Sequence, residues 1–357
     1  MKEIGRFPNC MKCRKKWIIF FIAFALSIIA FRGRVLASSP LRNGSPFKSP
    51  IFVLLYHPSE EGFEATFRDH LKWLKQNGYQ TIHLEALVDY LEGCETFLPP
   101  KPILLTFDDG TIENYEIVYL MLEEFDYTGI SFVLTHPSFT HFSKKSWWRE
   151  VDQSGILDIE NHSHSHGLIW IGPQIIDFFS GEDPNSYYLI KGADWRLGAP
   201  IYEYDYELIS PRYFPDRRVA NLCVNYVAQN GGQDFFMREG WKEELLQVVE
   251  DFRSHHKDRG SYEKELQRNL RIRTEVYRSK KIIEMTIGRG KQVEFFAYPW
   301  GAYDEELILQ LKSYGYRGAF TTDWGGNFAG DDPFKIKRLV ITSEMTVEDL
   351  SDILESE

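Results

Sequence analysis

Two adjacent carboxylates follow a short apolar segment of the chain. The stretch ILLTFDDG runs from Ile103 to Gly110 and places Asp108 and Asp109 where a buried strand would meet a loop. Two negative charges this close repel, and at a partly solvated strand end one aspartate would take up a proton unless a positive charge lies nearby. A bound cation would supply that charge. The pair therefore directs attention to other side chains that ligate metals.

Three histidines alternate with serines in the segment ENHSHSHGL. His162 and His166 are four residues apart, so both imidazoles can face one point on a helical turn or tight loop, whereas His164 should point elsewhere. Two histidines and one of the aspartates, with open coordination positions, suit a catalytic divalent metal. Zinc (Zn2+) is the default for this ligand set, with cobalt (Co2+) and nickel (Ni2+) as alternatives. The competing interpretation is a histidine-rich surface loop.

Two further predicted strand ends carry polar groups. His57 follows Tyr56 at the end of the first apolar segment, and the turn Tyr298-Pro299-Trp300-Gly301 follows a later one. In a parallel barrel, catalytic residues collect where strands end and loops begin. We therefore expect these groups beside the aspartates and histidines.

The elements that must position these groups alternate along the chain. Apolar strand-like segments are followed by segments with helical periodicity, which indicates an α/β fold with a parallel sheet covered on both faces. The predicted strands are Ile51–Tyr56, Tyr79–His83, Pro102–Phe107, Ile130–Leu134, Ile156–Glu160, Val293–Tyr298, Gly318–Thr322 and Lys337–Ile341. The predicted helices are Phe67–Gln76, Leu84–Gly93, Asn114–Phe125, Trp147–Gly155, Trp241–Phe252, Glu263–Ile287 and Glu305–Tyr314. About seven or eight strands fit a barrel better than an open sheet, and the predicted fold is a distorted (β/α)7-type barrel of parallel strands.

The predicted barrel spans residues 51–345 and is followed by a C-terminal tail at 346–357. A large insertion at about 170–260 is aromatic, rich in proline and without clean periodicity. Two interpretations of it stay open at this point. It forms a wall of a substrate cleft through Trp195, Tyr202 and Tyr204, or it only decorates the barrel.

The N-terminus has the pattern of a targeting segment. In residues 1–37, several basic residues precede an apolar run from Trp17 to Phe31, which is short for a transmembrane helix and suits a signal peptide. Val35-Leu36-Ala37 offers a cleavage site, whereas two intervening arginines leave an uncleaved signal-anchor open. Residues 38–50, rich in Ser, Pro, Asn and Gly, are predicted to be a linker. Both alternatives predict an extracytoplasmic location, either secreted or anchored to the membrane by this segment.

Composition limits the classes of partner. A formal charge of -11 argues against nucleic acid or anionic lipid as the main partner, because both require a basic face. Contact with a membrane is therefore expected only through the N-terminal segment, if it is uncleaved. The four cysteines imply no disulfide framework.

Three motifs carry a resemblance to a known family. T-F-D-D-G at Thr106–Gly110, H-S-x-x-H at His162–His166 and Y-P-W-G at Tyr298–Gly301 resemble the polysaccharide deacetylases of the NodB-homology type, carbohydrate esterase family 4. The resemblance runs from roughly Ile51 to Ile341. L-L-Y-H at Leu54–His57 and A-Y-P-W-G look most like the branch that deacetylates poly-β-1,6-N-acetylglucosamine.

The resemblance implies a role for each matching residue. Asp109, His162 and His166 would ligate the metal, and Asp108 would be the general base that takes a proton from an attacking metal-bound water. The resulting oxyanion would be stabilised by the metal and by a backbone N–H near Tyr298. Tyr298, Pro299 and Trp300 are thus expected to serve the oxyanion or the substrate.

Two departures from the family pattern concern the acid and the base. The usual C-terminal L-x-H histidine is missing from KRLVITSEM, and in the similar branch the histidine of the opening Y-H fills its role, which makes His57 the candidate acid. A hydrogen-bonded structural histidine is the alternative. The arginine that orients the base is replaced by Ala297, and Arg338 or Arg212 is expected to substitute for it.

Aromatic residues near the last motif are candidates for a saccharide groove, with core packing as the alternative. They are Tyr298, Trp300, Tyr303 and Trp324.

The predicted function is metal-dependent removal of N-acetyl groups from N-acetylhexosamine units of a polysaccharide. An O-acetyl esterase and a catalytically impaired carbohydrate-binding relative are the alternatives. A glycosidase with paired carboxylates is disfavoured, because adjacent aspartates do not normally straddle a glycosidic bond.

Overall fold

The computed structural model describes residues 49–94, 96–136, 145–182, 187–288 and 290–355. The predicted signal segment and nearly all of the predicted linker lie outside these ranges. Across the described residues, no helix has the length and apolar character needed to span a membrane.

The strands predicted for the barrel are present in the predicted order, and the insertion contains further strands. The strands are β1 Phe52–Tyr56, β2 Gln80–Thr81, β3 Pro102–Phe107, β4 Gly129–Val133, β5 Leu157–Asn161, β6 Leu168–Phe178, β7 Pro200–Tyr206, β8 Tyr213–Phe214, β9 Ser261–Tyr262, β10 Phe295–Ala297, β11 Gly318–Phe320 and β12 Leu339–Ile341.

The α-helices separate these strands and cover the sheet. They are α1 Phe63–Gln76, α2 Leu84–Leu91, α3 Leu120–Phe125, α4 Lys145–Ser154, α5 Arg217–Gln229, α6 Trp241–His255, α7 Glu265–Arg273, α8 Ser279–Ile287, α9 Glu305–Ser313 and α10 Val347–Glu355. π-helical turns at Asn114–Tyr119 and Thr274–Arg278 precede α3 and α8.

Seven strands form a curled parallel sheet in the order β11-β10-β5-β4-β3-β1-β12, and β2 pairs with β3. The stretch before β12 also reaches the opposite edge strand. Phe320 and Ile336 form a parallel bridge, and the Thr321 N–H donates to the Ile336 carbonyl over 2.8 Å. Because this stretch links the two edges of the sheet, the prediction of a distorted (β/α)7-type barrel is confirmed.

The barrel strands are apolar on both faces because both faces are covered. Every residue of β1 and β3 is buried. Alternate side chains fall into two clusters. One includes α1 and several other outer helices, and the other contains Leu104, Phe132 and Phe320 together with the buried face of α2. Fully burying one such side chain contributes about 1.5–3 kcal/mol. This packing fixes the strand ends, and with them the loops that carry the polar groups.

The insertion has a sheet and core of its own. β6 and β7 pair antiparallel with register shifts between Trp170 and Asp177, and α5 and α6 pack around a separate apolar cluster. Neither these strands nor α5 was predicted, because the shifts in β6 interrupt the alternation that marks a strand.

Two predicted segments have a more detailed structure than expected. The helix predicted over Glu263–Ile287 is divided into α7, the π-helical turn Thr274–Arg278 and α8. The residues predicted as a C-terminal tail contain α10, whose Leu350 and Leu354 are buried against the barrel.

Candidate active site

The two aspartates lie at the carboxyl end of β3, as expected, but in different environments. Asp108 is buried, whereas the Asp109 side chain is 36% exposed. Asp109 has a φ of 70°, and Gly110 follows with a φ of 64°. A Cβ on Gly110 would lie 2.6 Å from Val133 Cγ1, so glycine allows the close turn that presents both carboxylates.

Arg338 holds the Asp108 carboxylate. Its Nη1 and Nη2 donate to Oδ1 and Oδ2 of Asp108 over 2.8 and 2.9 Å, and its Nε donates to the Thr321 carbonyl over 2.8 Å. Burial by itself would raise the pKa of Asp108, but the charge of Arg338 and its hydrogen bonds outweigh this and lower the pKa to about 2. Asp108 is therefore ionised at neutral pH.

Of the two arginines considered from the sequence, Arg338 pairs with Asp108 and Arg212 does not. The Arg338 side chain is fully buried, and its guanidinium lies against the rings of Phe132 and Phe320. Arg212 belongs to the insertion and donates to the Lys191 carbonyl.

The loop after β5 brings two of the three histidines to the aspartates. The rings of His162 and His166 lie 4.9 Å apart, and His162 Nε2 is 3.6 Å from Asp109 Oδ1. His164 is outside this group, since its Nδ1 hydrogen-bonds Thr135 Oγ1 over 2.7 Å. Ser163 and His166 have positive φ angles, which allow the tight loop.

Asp109, His162 and His166 form a group that fits a metal ion. One ligand atom from each lies within 4.8 Å of the others. The Ala297 carbonyl can only accept a hydrogen bond, so His162 Nδ1 at 2.9 Å is the protonated nitrogen and Nε2 is free to ligate.

The protonation of these three side chains also suits a cation. Burial lowers the pKa of both His162 and His166 to about 4, which keeps the imidazoles neutral at neutral pH. The partial burial of Asp109 raises its pKa, and nearby His162 only partly opposes this. A bound cation would therefore stabilise the ionised form of Asp109.

His57 lies at the end of β1 and lines the same cavity as the two aspartates, His162 and His166. Its side chain is about one third exposed, and Nδ1 is 3.9 Å from Glu60 Oε1. The Glu60 carboxylate also accepts the Ser343 N–H over 2.8 Å. This partly open position, with one ring nitrogen near a carboxylate, is compatible with proton transfer.

The turn after β10 has two buried residues, Tyr298 and Pro299, followed by Trp300, which is partly exposed at the site. The Tyr298 side chain is buried and its hydroxyl donates to the Phe334 carbonyl. Its N–H donates to the Phe320 carbonyl over 3.0 Å, so this N–H belongs to the barrel and is not directed at a substrate. Pro299 is buried and has no N–H, whereas Trp300 is 38% exposed and its ring contacts His166.

A cavity of about 610 Å³ is lined by both aspartates, His57, His162, His166, Tyr298 and Trp300. The insertion contributes Tyr188 and Leu189 to its lining, and the insertion residue Tyr206 stacks on Trp300 with 5.8 Å between ring centroids. None of the three was singled out from the sequence, because the segment gave no periodicity by which to orient them. Thr111 also lines the cavity, and its buried Oγ1 has no partner among the described residues.

Other aromatic residues considered from the sequence do not line this cavity. Trp324 lines a different cavity with Phe52 and Leu339, at the amino ends of β1 and β12. Tyr303 packs on Tyr298 and donates to Asp323. In the insertion, Tyr202 is buried, Tyr204 packs on Trp170 and Trp195 packs on Phe179.

Residues 97–174 match the model of the polysaccharide deacetylase family, and this span contains both aspartates and all three histidines. YxkH of Bacillus subtilis is 31% identical over 136 residues, which cover 36% of this chain and 47% of that protein. A poly-β-1,6-N-acetyl-D-glucosamine N-deacetylase of Escherichia coli is 32% identical over 66 residues, 18% of this chain and 10% of that protein. The chain thus matches less than half the length of these curated relatives.

A solved structure of a de-N-acetylase from Aggregatibacter actinomycetemcomitans has the same fold. Its TM-score is 0.55 at 18% sequence identity, and the match covers 85% of this chain and 100% of that one. The predicted resemblance to polysaccharide deacetylases, including the poly-β-1,6-N-acetylglucosamine branch, is confirmed.

Proposed function

We propose that this polysaccharide deacetylase domain is a metal-dependent hydrolase that removes N-acetyl groups from N-acetylhexosamine units of a polysaccharide. One observation carries the proposal. Three ligand atoms, from Asp109, His162 and His166, lie within 4.8 Å of one another beside the ionised Asp108–Arg338 pair. A cation site next to a separate, ionised carboxylate is an arrangement that supports hydrolysis of an amide by water.

Asp109, His162 and His166 would hold the metal, for which zinc is the default. When bound, a divalent cation supplies positive charge that polarises a carbonyl and makes water easier to deprotonate. Ala297 contributes through its carbonyl, because that carbonyl holds the imidazole of His162 in the tautomer that leaves Nε2 available.

Asp108 would accept the proton of the attacking water. Its Oδ2 lies 3.7 Å from His162 Nε2, so the carboxylate faces the region where the metal would be held. Arg338 keeps this carboxylate ionised and fixes its orientation through two parallel hydrogen bonds. The same pairing makes Asp108 a weaker base, but it also keeps Asp108 unprotonated at neutral pH.

His57 would return a proton to the leaving amine. It lines the same cavity as Asp108, on the neighbouring strand β1. Its ring is partly exposed, and Glu60 Oε1 lies 3.9 Å from its Nδ1.

The substrate would be an N-acetylated polysaccharide such as poly-β-1,6-N-acetylglucosamine. The name of the Escherichia coli relative and the aromatic cavity wall with Trp300 and Tyr188 support this class. The N-terminal pattern supports a location outside the cytoplasm, either secreted or anchored, where such polymers are met.

The test is acetate release by the full-length, zinc-loaded protein from N-acetylglucosamine oligomers of β-1,4 and β-1,6 linkage. We expect acetate and free amine in equal amounts, with a rate about 10²–10⁴-fold lower in a folded Asp108→Asn variant. Release from O-acetylated oligomers alone would favour the esterase. Saccharide binding without any release, unchanged by the substitution, would favour a binding protein.

A further inference from the structure

The histidine loop has an internal hydrogen bond, from the His166 N–H to Ser163 Oγ over 3.1 Å, but its backbone conformation is strained. Ser163 and His166 are non-glycine residues in the left-handed region, with φ of 79° and 50°. Such residues persist only where the surroundings hold them in place. The position of the proposed ligand His166 therefore depends on what binds the loop.

Glu275 binds the middle of this loop. Its Oε2 accepts the N–H of His164 over 3.2 Å and that of Ser165 over 2.9 Å, and its carboxylate accepts the Ser165 hydroxyl over 3.0 Å. Glu275 is only 2% exposed, so no bulk water is available to replace it. Loss of these bonds would leave loop N–H groups unpaired.

The π-helical turn Thr274–Arg278 places Glu275 against the loop. The same turn presents the Val276 carbonyl, which accepts a hydrogen bond from the Asn161 side chain over 3.1 Å. Asn161 in turn accepts the Ser163 N–H over 3.1 Å. Single π-helical turns within helices often occur at functional sites. Here the turn holds the loop at both Ser163 and Ser165.

The insertion supplies the charge that balances Glu275. Lys191 Nζ lies 2.7 Å from Glu275 Oε1 and 2.6 Å from Glu207 Oε1. Glu207 is also buried, and its Oε2 accepts a weak hydrogen bond from Ser165 Oγ over 3.3 Å. Two buried carboxylates this close would repel without the cation between them. Lys191 and Glu207 both belong to the insertion.

We propose that Glu275 is a positioning residue for the metal site and that Lys191 of the insertion, itself paired with Glu207, holds its carboxylate in place. The insertion is then a working part of the site as well as a wall of the cavity. This inference rests on the proposed metal site, because the loop that Glu275 holds carries His162 and His166.

The test compares zinc affinity in full-length wild type, Glu275→Gln and Lys191→Met, measured by competition with a chromophoric chelator. Glu263→Gln is the matched control, since Glu263 is a buried carboxylate paired with Arg271. Among the described residues, no hydrogen bond joins Glu263 to the loop. The visible spectrum of the cobalt-loaded proteins reports ligand geometry, and circular dichroism reports folding.

We expect Glu275→Gln to weaken zinc binding by about 10–100-fold and to alter the cobalt spectrum, as outer-shell substitutions do. Lys191→Met should also weaken zinc binding. The double variant Glu275→Gln/Lys191→Met should lose less zinc affinity than the product of the two single fold-losses, because the two side chains act as a pair. The control should change stability but leave affinity within about twofold. If Glu275→Gln does not fold, Lys191→Met decides by the same criteria.

Zinc affinity and a cobalt spectrum equal to wild type in the folded variants would overturn the role of Glu275 and Lys191. An equal loss in Glu263→Gln would also overturn it, by showing a general effect of destabilisation. Wild type that binds no zinc would instead refute the proposed metal site itself.

Discussion

Replacing Arg338 with methionine removes the charge that keeps Asp108 ionised. Methionine fills much of the same space against Phe132 and Phe320 but cannot donate a hydrogen bond to Asp108. Breaking a buried pair in this way typically costs about 3–5 kcal/mol of unfolding free energy, because one charge is left unpaired. We therefore expect a folded but clearly destabilised variant, measured by urea denaturation.

The same free-energy cost predicts how the substitution changes the pH dependence of catalysis. One pKa unit corresponds to about 1.4 kcal/mol, so a loss of that size falling on the carboxylate raises its pKa by roughly 2–4 units. From about 2 in the wild type, the pKa of Asp108 would then approach the range of about 4–6. A base with a raised pKa is protonated, and inactive, below that value. Arg338→Met should therefore lose activity at acidic pH and recover part of it as the pH rises.

The assay is the rate of acetate release from an N-acetylglucosamine oligomer at saturating zinc, between about pH 4 and 9. Arg338→Lys keeps the charge without the two-pronged geometry and should lie between wild type and Arg338→Met. Lys335→Met is the control, because Lys335 forms an exposed pair with Glu305 that contributes about 0–1 kcal/mol. A folded, zinc-loaded Arg338→Met protein whose pH profile superimposes on that of wild type would refute the reasoning.

Three further predictions concern the ligands and the acid. Asp109→Asn should lower zinc affinity by at least about tenfold, since a charged ligand becomes a neutral one, and unchanged affinity in a chelator titration would argue against its role. His57→Gln should lower kcat by about 10²-fold with zinc affinity unchanged, and a normal kcat would return His57 to a structural role. Burial lowers the pKa of His162 and His166 to about 4. The metal-free unfolded chain takes up their protons at a higher pH than the folded chain does, so stability should fall by a few kcal/mol from about pH 6.5 to 4. Urea denaturation in a chelator at several pH values measures this, and a flat profile would contradict it.

The barrel and the polar strand ends could be predicted because they depend on local patterns. A buried parallel strand such as β3 is a continuous apolar segment, and the change to Asp108 marks where it ends. Parallel strands bring such ends to one edge whatever the length of chain between them. Asp109 thus meets His162 and His166, which follow much later in the chain, and their ligand atoms lie within 4.8 Å of one another.

Features that depend on closure of the barrel could not be predicted. Arg338 and Arg212 were equal candidates in the sequence, and only the fold places Arg338 inside the barrel below Asp108. Trp324 was a candidate for the saccharide groove, but the chain after it returns to the amino end of β1, where Asn327 bonds Ile51. The Tyr298 N–H was a candidate for the oxyanion until its partner, the Phe320 carbonyl, was known.

The insertion posed a different difficulty. Its residues at the cavity, Tyr188 and Tyr206, are isolated aromatic side chains in a segment where aromatic residues are common. Position in space, and not residue type, distinguishes them from Trp195 and Tyr202. The link from Lys191 to Glu275 crosses 84 residues of sequence and has no local pattern.

The most direct measurement is a calorimetric zinc titration of full-length protein that has been stripped of metal. A single strong site per chain is predicted, absent or at least about tenfold weaker when His162 or His166 is changed to alanine. Wild-type protein that binds no zinc, or the same tight binding in both alanine variants, would contradict a cation held by these side chains.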